Sequence, residues 1–345
     1  MKLTVGLIGC GEFAKLHLDG LVRCAQVGQV IAADPDEAAR EGLYRRYGII
    51  QRTEADWRAV VDHEAVDVVD VVTPHDSHCE ITVAALQAGK HVICEKPMGR
   101  TLAEADAMLA AAQEAGRRLL ISMPQLYYPA VRRAKEVLDS GEIGRPFLAD
   151  FAVYDDEFVR MSDPEHWKGS IERAGGGVLI DAGSHPLYLL LHLFGRPRTV
   201  SAMCRSLLID IEGKGEDTAA VALDFGEGMM ANLLVTFADH GERYRAERRV
   251  LCEQGALLIR DMPEDEVPLA LLQGEDFSPI RVRNPLYVHP YGMEAMIEDL
   301  FDAIVEEREA LAETQLAYDT LRVVMAAYDS EREGRRVELE DTGAS

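Results

Sequence analysis

The sequence predicts an α/β protein: an N-terminal doubly wound parallel sheet, followed by an α+β domain with a large, mostly antiparallel, open sheet. Over the first third of the 345 residues, strand-like and helical segments alternate, as in parallel sheets with helices on both faces. A glycine-rich turn directly follows the first apolar run. From Thr199 to Ile259, strand-like runs separated by glycine turns follow one another without helices, which is typical of an antiparallel sheet.

In the first part of the chain, apolar runs predict strands and the amphipathic segments between them predict helices. The expected strands are the run ending at Ile8, Val30–Ala33, Ile49–Ile50, Val66–Val72, His91–Cys94 and Leu119–Ile121. The expected helices are Phe13–Val22, Glu37–Tyr47, Asp56–Val61, His78–Ala88 and Thr101–Ala115. The last begins with Thr101 as N-cap and Glu104 three residues later, the pattern of a capping box.

The alternation stops at about Pro124, without a low-complexity linker. We therefore predict one domain over residues 1–123 and a second over residues 124–345. In the second domain, the expected helices are Pro129–Ser140, Met293–Glu307 and Thr314–Arg332.

Composition excludes several classes of function. A hydrophobic content of 48% is sufficient for sizeable cores, and no stretch approaches the ~18 consecutive apolar residues of a membrane span. The formal net charge of −24 argues against nucleic-acid and anionic membrane partners. Six cysteines without C-x-x-C spacing indicate reduced thiols and a cytoplasmic protein. Because Met1 leads almost directly into a strand, we expect no signal peptide.

The glycine-rich turn has the pattern G-x-G-x-x-A, formed by Gly9, Gly11 and Ala14. Gly9 permits a tight turn, Gly11 allows a pyrophosphate to approach the backbone, and Ala14 lets the following helix pack closely on the strand. The N-terminus of that helix supplies N–H groups and a positive dipole end to phosphates. The motif thus predicts a dinucleotide site.

Asp34 ends the next apolar run, at about the ~20-residue distance expected of the acid that binds the ribose of a dinucleotide. A carboxylate there accepts hydrogen bonds from both ribose hydroxyls and repels a 2′-phosphate, so we expect NAD, with NADP less favoured. The alternative is a plain βαβ unit in which Asp34 only caps a helix.

Ligands of an open parallel sheet bind at the carboxyl ends of its strands. Two further strand ends carry polar residues: Thr73-Pro74-His75 and Glu95-Lys96-Pro97. Lys96, one of only seven lysines, could hold a substrate hydroxyl and share its proton, with its pKa lowered by desolvation or by a cationic nicotinamide. The alternative is a surface lysine in a loop.

Asp181 and His185 follow a triple glycine and are four residues apart. On one helix they would share a face and could meet one ligand, with the imidazole taking a proton near neutral pH. Pro186 instead favours Ser184 as an N-cap with Asp181 in the preceding loop. The alternative to a catalytic role is a buried hydrogen-bonded pair.

Other candidates are weaker. His75 and His78 have no convincing metal-site spacing, and we predict no metal. Tyr127, Trp167 and Tyr188 could stack on a sugar face, although aromatic residues in such segments are more often part of the core.

These motifs together resemble the Gfo/Idh/MocA family of NAD(P)-dependent oxidoreductases over nearly the whole chain. The resemblance rests on Gly9-Cys10-Gly11-Glu12-Phe13-Ala14, Thr73-Pro74, Ala88-Gly89-Lys90-His91-Val92, Glu95-Lys96-Pro97, Ser140-Gly141-Glu142-Ile143-Gly144 and Gly175-Gly176-Gly177 through His185. Glu-Lys-Pro at a strand end followed by Gly-Gly-Gly and D-x-x-x-H is far more specific than the nucleotide motif.

The resemblance implies a Rossmann NAD-binding domain over residues 1–123 and a substrate-binding and oligomerisation domain over 124–345, whose sheet often forms the interface of a homodimer or homotetramer. It implies Lys96, Asp181 and His185 as the catalytic set and a sugar, cyclitol or sugar derivative as substrate. The implied cofactor contacts are Gly9, Gly11, Glu12, Phe13, Ala14, Asp34, Thr73, Pro74, His78, Glu95 and Lys96.

The sequence departs from the family pattern where substrate hydroxyls are usually bound. Tyr188 replaces a frequent aspartate three residues after His185, and Pro124-Gln125-Leu126-Tyr127 replaces a frequent Asn followed by Arg-Phe. These departures argue against a standard inositol dehydrogenase and favour a less polar or larger substrate. Gln125, Tyr127, Trp167 and Tyr188 are accordingly the candidate substrate residues.

We hypothesise reversible oxidation of a secondary alcohol on a sugar-like ring, with hydride transfer to NAD. His185 would accept the hydroxyl proton, Asp181 would orient the imidazole, and Lys96 would hydrogen-bond the reacting oxygen. In the alternative assignment, Lys96 and His185 exchange these roles. One alternative is redox-neutral, NAD-dependent glycoside cleavage or epimerisation. Another is a non-catalytic NAD-binding sensor.

Overall fold

The structure is a computed structural model that describes residues 2–209, 215–241, 244–260, 266–282 and 292–339. The chain divides into two compact units. The first contains the residues up to Tyr127 and the later segment that ends at Tyr318; the second contains the remainder.

The first unit is built on a six-stranded parallel sheet with the strand order β3-β2-β1-β4-β5-β6. Its strands are β1 (Leu3–Ile8), β2 (Val27–Ala33), β3 (Ile50–Glu54), β4 (Val68–Val71), β5 (His91–Cys94) and β6 (Leu119–Ile121). The order changes direction between β1 and β4, so the carboxyl ends of these neighbours flank the point at which such sheets bind ligands. The predicted doubly wound parallel sheet is confirmed.

Five helices follow the first five strands of this sheet. They are α1 (Glu12–Arg23), α2 (Glu37–Arg46), α3 (Trp57–Val61), α4 (His75–Gln87) and α5 (Leu102–Ala115). Helix α4 begins at His75, three residues earlier than expected, because Pro74 fixes the backbone at its N-cap. At the start of α5, the Thr101 hydroxyl accepts a hydrogen bond from the Glu104 N–H at 3.2 Å, as the capping box predicts.

The second unit contains a nine-stranded sheet with the order β14-β13-β12-β11-β7-β10-β9-β8-β15. The strands are β7 (Pro146–Tyr154), β8 (Thr199–Arg205), β9 (Thr218–Gly226), β10 (Met229–Thr236), β11 (Arg245–Cys252), β12 (Gly255–Ile259), β13 (Leu269–Gln273), β14 (Asp276–Pro279) and β15 (Val337–Glu338). Neighbours are antiparallel except for β7 and β10. The prediction of a large, mostly antiparallel sheet is confirmed.

The helices α6 to α10 accompany this sheet in the second unit. They are α6 (Pro129–Ser140), α7 (Phe158–Met161), α8 (Ile171–Ala174), α9 (Val178–Asp181) and α10 (Ser184–Phe194). A short 3-10 turn, Trp167–Gly169, precedes α8. Helix α10 is apolar around most of its circumference and is almost entirely buried, which is typical of a helix inside a core.

Two helices close the chain, α11 (Met293–Val305) and α12 (Thr314–Glu333). Helix α11 packs on α1 of the first unit, so closely that a Cβ on Gly20 would lie 2.9 Å from Cγ1 of Ile297. The Tyr127 hydroxyl donates to Asp299 at 2.6 Å and accepts from the Ala312 N–H at 3.1 Å. The first unit therefore differs from the predicted domain 1–123, because a distant segment completes its core.

Among the described residues, no single helix is long and apolar enough to span a membrane. The bent helix pair Ile171–Asp181 and Ser184–Phe194 is long and apolar enough when the two helices are taken together, by length and composition only. All six cysteines carry free thiols.

Candidate active site

The turn after β1 requires glycine at its first position. Gly9 has a φ of +98°, and a Cβ there would lie 2.1 Å from the carbonyl oxygen of Val72. Any side chain would therefore collide with the end of the neighbouring β4 segment. The Gly9 N–H donates to the Ala33 carbonyl at 2.8 Å. This hydrogen bond holds the turn after β1 against the end of β2.

Gly11, by contrast, borders open space. It is the N-cap of α1, has no side chain to cap the helix, and a Cβ added to it meets no atom within 4 Å. The backbone at this helix N-terminus is thus accessible to a bound group, and its N–H groups favour an anion. Ala14, in the first turn of α1, is fully buried, as expected where helix and strand pack closely. These residues fit the pyrophosphate of a dinucleotide.

Asp34 lies beside this turn and is held by two backbone donors. Its Oδ2 accepts from the Cys10 N–H at 2.8 Å, and its Oδ1 accepts from the Asp36 N–H at 2.8 Å. The N-cap of α2 is Asp36, whose carboxylate accepts from Ala38. The alternative in which Asp34 only caps a helix is therefore wrong. The Arg40 guanidinium donates to the Asp34 carbonyl at 3.1 Å.

His78 connects two of the polar strand ends. Its Nε2 lies 2.9 Å from the Thr73 carbonyl oxygen and its Nδ1 lies 2.9 Å from the Pro97 carbonyl oxygen. The ring is fully buried, and burial lowers its pKa. The structure thus places the His78 ring between the loops after β4 and β5, where it holds them together.

Lys96 is the second residue after β5, and its peptide bond to Pro97 is cis. The Lys96 N–H donates to Oε2 of Glu95 at 3.1 Å, and Oε1 of Glu95 lies 2.9 Å from Nε2 of His17. The Nδ1 atom of His17 lies 2.9 Å from Oδ2 of Asp70. His17 and Asp70 are fully buried and Glu95 is 7% exposed, so a chain of buried charges extends from α1 to the backbone of Lys96.

The buried charges perturb each other strongly. Burial alone would lower the pKa of His17, but the carboxylates of Asp70 and Glu95 raise it to about 10 from 6.5. Burial alone would raise the pKa of Glu95, but the hydrogen bond and charge of His17 lower it to about 2 from 4.5. At neutral pH His17 is therefore an imidazolium and Glu95 a carboxylate.

These two shifts predict a pH window of maximal stability. The raised pKa of His17 stabilises the fold fully below 6.5, and this contribution is lost as the pH rises through about 10. The lowered pKa of Glu95 stabilises the fold above 4.5, and this contribution is lost as the pH falls through about 2. Each group changes the free energy of unfolding by up to about 1.4 kcal/mol per pH unit.

The free energies of unfolding of wild type and His17→Gln, measured in urea, should differ most between pH 4.5 and 6.5. Parallel pH curves for the two proteins would contradict this expectation.

The triple glycine in the second unit is required by close packing. A Cβ on Gly177 would lie 1.9 Å from the Glu216 carbonyl oxygen, and one on Gly176 would lie 2.2 Å from the Tyr328 hydroxyl. Gly175 has a φ of +84° and ends α8. The buried Glu216 carboxylate accepts from the N–H groups of Gly177 at 3.0 Å and Leu179 at 2.9 Å. The glycines thus permit the contacts that hold α9.

Asp181 ends α9, and its carboxylate pairs with a lysine that the sequence interpretation missed. Nζ of Lys168 lies 2.9 Å from Oδ2 of Asp181 and 3.3 Å from Oε1 of Glu157. Only 15% of the Lys168 side chain is exposed. Burial would lower the pKa of Lys168, but Asp181 and Glu157 raise it, so the ammonium persists as the counter-ion of Asp181.

One sequence signal could have identified Lys168. It is one of only seven lysines in the chain, and it lies between Trp167 and Gly169. The glycine is needed because a Cβ there would lie 2.1 Å from the Asp163 carbonyl oxygen. The rarity of lysine could be seen in the sequence, whereas the steric restriction at Gly169 and the partners of Lys168 could not.

His185 lies in the first turn of α10, and the Tyr188 side chain contacts its ring. Nδ1 of His185 lies 3.0 Å from the Tyr188 hydroxyl, and Tyr188 is 1% exposed. Asp181 and His185 are on two helices rather than on one. Gly183 is the N-cap of α10 and Ser184 its first residue, so the predicted N-cap at Ser184 and the loop position of Asp181 are wrong, because the chain bends between α9 and α10.

The remaining candidates occupy different environments. Gln125 and Tyr127 are buried in the first unit, where the Tyr127 hydroxyl is engaged by Asp299 and Ala312. Trp167 is half-buried in the second unit, with its ring stacked against His166 at a centroid distance of 6.0 Å. Phe13 is 53% exposed in α1, and the Glu12 carboxylate next to it pairs with Lys15 at 2.7 Å.

Two family models match this chain. Residues 3–123 match the model of the GFO/IDH/MocA oxidoreductase family with its NAD-binding Rossmann fold. Residues 131–258 match a GFO/IDH/MocA C-terminal domain.

Two relatives that are similar over most of this chain are named as a dehydrogenase and a reductase of sugar derivatives. The chain is 28% identical over 324 residues to a levoglucosan dehydrogenase of Pseudarthrobacter phenanthrenivorans, covering 84% of this chain and 82% of the relative. It is 31% identical over 287 residues to a 1,5-anhydro-D-fructose reductase of Ensifer adhaerens, covering 81% and 83%. A solved levoglucosan dehydrogenase in complex with NADH and levoglucosan has the same fold, with a TM-score of 0.88, 23% identity and coverage of 99% of this chain and 100% of that one.

The predicted family and the predicted NAD cofactor are thus confirmed. With its glycine turn, the acid after β2 and the Glu-Lys-Pro strand end all in place, this chain belongs to the GFO/IDH/MocA family of NAD-dependent oxidoreductases.

Proposed function

We propose that the protein catalyses reversible, NAD-dependent oxidation of a secondary alcohol on a sugar, a cyclitol or a sugar derivative. The observation that carries the proposal is the position of Lys96, two residues after the end of β5, with its own N–H held by the buried carboxylate of Glu95. The relatives named for levoglucosan and 1,5-anhydro-D-fructose support the substrate class, since both compounds are anhydrosugars with ring hydroxyls.

Each proposed catalytic residue has a stated task. Lys96 donates a hydrogen bond to the reacting oxygen and stabilises negative charge on it, and the His185 imidazole takes the hydroxyl proton. The Tyr188 hydroxyl at Nδ1 of His185 fixes the orientation of the ring. Asp181 is paired with the Lys168 ammonium, which is its counter-ion. NAD, when bound, supplies the hydride acceptor, and the protein supplies placement and electrostatics.

The proposed cofactor contacts lie in the first unit. Gly9, Gly11 and Ala14 serve the pyrophosphate, and Asp34 serves the ribose. The side chains of His78 and Glu95 act indirectly in this proposal, because their polar atoms hold the loops that carry Thr73 and Lys96.

Asp34→Ala should relax the preference for NAD over NADP. The carboxylate that repels a 2′-phosphate is removed, while Arg40, whose guanidinium lies 3.1 Å from the Asp34 carbonyl, remains to attract it. Loss of a charged hydrogen-bond acceptor reduces the binding free energy by about 1.5–3 kcal/mol. We therefore expect the Kd for NAD to rise roughly tenfold to hundredfold and the Kd for NADP to fall. Titration of both cofactors by tryptophan fluorescence measures this ratio, and an unchanged ratio would remove Asp34 from the ribose site.

To test the proposed function, the protein is incubated with NAD and a panel of anhydrosugars, aldoses, cyclitols and glycosides. Formation of NADH is followed by its absorbance. We expect net NADH formation with at least one ring polyol. Product without lasting NADH would instead establish a redox-neutral cycle, and tight NAD binding without any product would establish a sensor.

We propose that the protein is a homodimer or homotetramer assembled through the open face of the nine-stranded sheet. This face presents Met203 on β8 and Met230 and Leu234 on β10, the two strands that flank β9; the three side chains are 62%, 52% and 37% exposed. Light scattering coupled to gel filtration should therefore give twice or four times the chain mass. Met230→Glu places a charge on this face and should lower the measured mass. A monomer mass for the wild-type protein would refute the proposal.

A further inference from the structure

His17 is a buried histidine to which the proposed reaction assigns no task. Its side chain is fully buried in the first unit, between Asp70 of β4 and Glu95 after β5. Nδ1 lies 2.9 and 3.1 Å from the two Asp70 oxygens, and Nε2 lies 2.9 Å from Oε1 of Glu95. The imidazole thus joins three separate elements.

The partners fix the protonation state of the ring. Carboxylates accept hydrogen bonds and, when ionised, donate none, so both ring nitrogens carry a proton and the ring is an imidazolium. A neutral ring could serve only one of the two carboxylates. The other would then be a buried, uncompensated charge, which is strongly unfavourable.

The same chain of contacts ends at Lys96. Oε1 of Glu95 is held by His17, which leaves Oε2 to accept the Lys96 N–H at 3.1 Å. At its other end, His17 belongs to α1, whose N-cap is Gly11 of the pyrophosphate turn. A shift of α1 therefore moves the carboxylate that positions the Lys96 backbone.

Fold stability alone is a weak explanation for such a network. A buried ion pair is often no more stabilising than well-packed apolar residues of similar volume. A charged imidazole between two carboxylates instead imposes direction, because each of its two N–H groups must meet its own acceptor.

We propose that His17 is a positioning residue for Lys96: its imidazolium orients Glu95, and Glu95 fixes the Lys96 backbone relative to the dinucleotide-binding helix α1. The inference rests on the proposed role of Lys96 in the reaction. His17 contacts neither substrate nor cofactor in this proposal and acts only through Glu95.

The test compares His17→Gln with His63→Gln, a matched change at a half-buried histidine in the turn before β4 of the same unit. Lysines are reductively methylated with ¹³C, and the Lys96 signal is assigned with Lys96→Arg. His17→Gln should shift the Lys96 methyl resonance and its titration, whereas His63→Gln should leave both unchanged. At saturating NAD and substrate, His17→Gln should lower kcat at least tenfold while the Kd for NAD changes less than threefold.

The outcomes separate this inference from the proposed function. A Lys96 signal and a kcat that are unchanged in folded His17→Gln would overturn the inference, whatever its melting temperature. If wild type shows no turnover, the proposed function fails and the methyl resonance still decides the role of His17. If His17→Gln does not fold, Asp70→Asn removes only the far side of the network, and the same shift of the Lys96 signal is expected, with an unmoved signal counting against the inference.

Discussion

Lys96→Ala is expected to lower kcat by about 10²–10⁴-fold, the usual contribution of a positioned proton donor or acceptor. The ammonium that hydrogen-bonds the reacting oxygen is lost, while the glycine turn and Asp34 are unchanged. The Kd for NAD should therefore stay within a few-fold of wild type. Steady-state kinetics on the substrate found in the polyol screen, together with cofactor titration, measure both quantities.

Lys135→Ala is the matched control for this experiment. Lys135 lies on α6 and pairs with Asp139 on the surface at 2.5 Å, so its loss should change kcat less than twofold. If Lys96→Ala retained near-wild-type turnover, Lys96 would have no catalytic role and the proposed mechanism would fail. Equal losses in both variants would indicate a general effect of removing lysines.

Gly177→Ala is expected to lower the free energy of unfolding by about 3 kcal/mol, the upper end of the usual cost of overpacking. The new Cβ would lie 1.9 Å from the Glu216 carbonyl oxygen, a backbone atom that cannot move aside alone. Relief of this clash requires displacement of α9, which carries Asp181. Turnover should therefore fall in the fraction that remains folded. Urea unfolding measures the stability change.

Gly42→Ala is the control for the glycine substitution. Gly42 lies within α2, and a Cβ added there meets no atom within 4 Å. Alanine in a helix interior is more favourable than glycine by roughly 0.5–1 kcal/mol, so this variant should be as stable as wild type or more so. A Gly177→Ala protein as stable as Gly42→Ala would show that α9 does not need a glycine at this position.

The parts of the site that the sequence predicted depend on neighbours in the chain. Gly9, Gly11 and Asp34 were recognisable because a strand, a turn and a helix follow one another within a few tens of residues, and this local order largely determines the geometry. Asp181 and His185 were found by their spacing, but the single shared helix was wrong. The chain bends between α9 and α10, and a glycine is needed there because a Cβ on Gly183 would lie 2.4 Å from the Leu179 carbonyl oxygen.

The pairings of the charged residues were not predictable in the same way. His17 and Glu95 are 78 positions apart, and Tyr127 and Asp299 are 172 apart. Periodicity indicates that such residues face a core, but it does not identify which partner is met there. The partner of Asp181 proved to be Lys168, and the hydroxyl at the His185 ring proved to be that of Tyr188, which the sequence had suggested for substrate.

By itself, the sequence of this protein determined the order of its strands and helices, the glycine turn and the strand ends that carry its polar residues, because these depend on steric limits and hydrogen bonds between residues close in the chain. Only the tertiary structure decided that residues 292–318 complete the first unit, that His17 joins Asp70 to Glu95, and that Asp181 is neutralised by a lysine. Those contacts form when distant segments pack and exclude water, and it is then that a buried charge must find its partner.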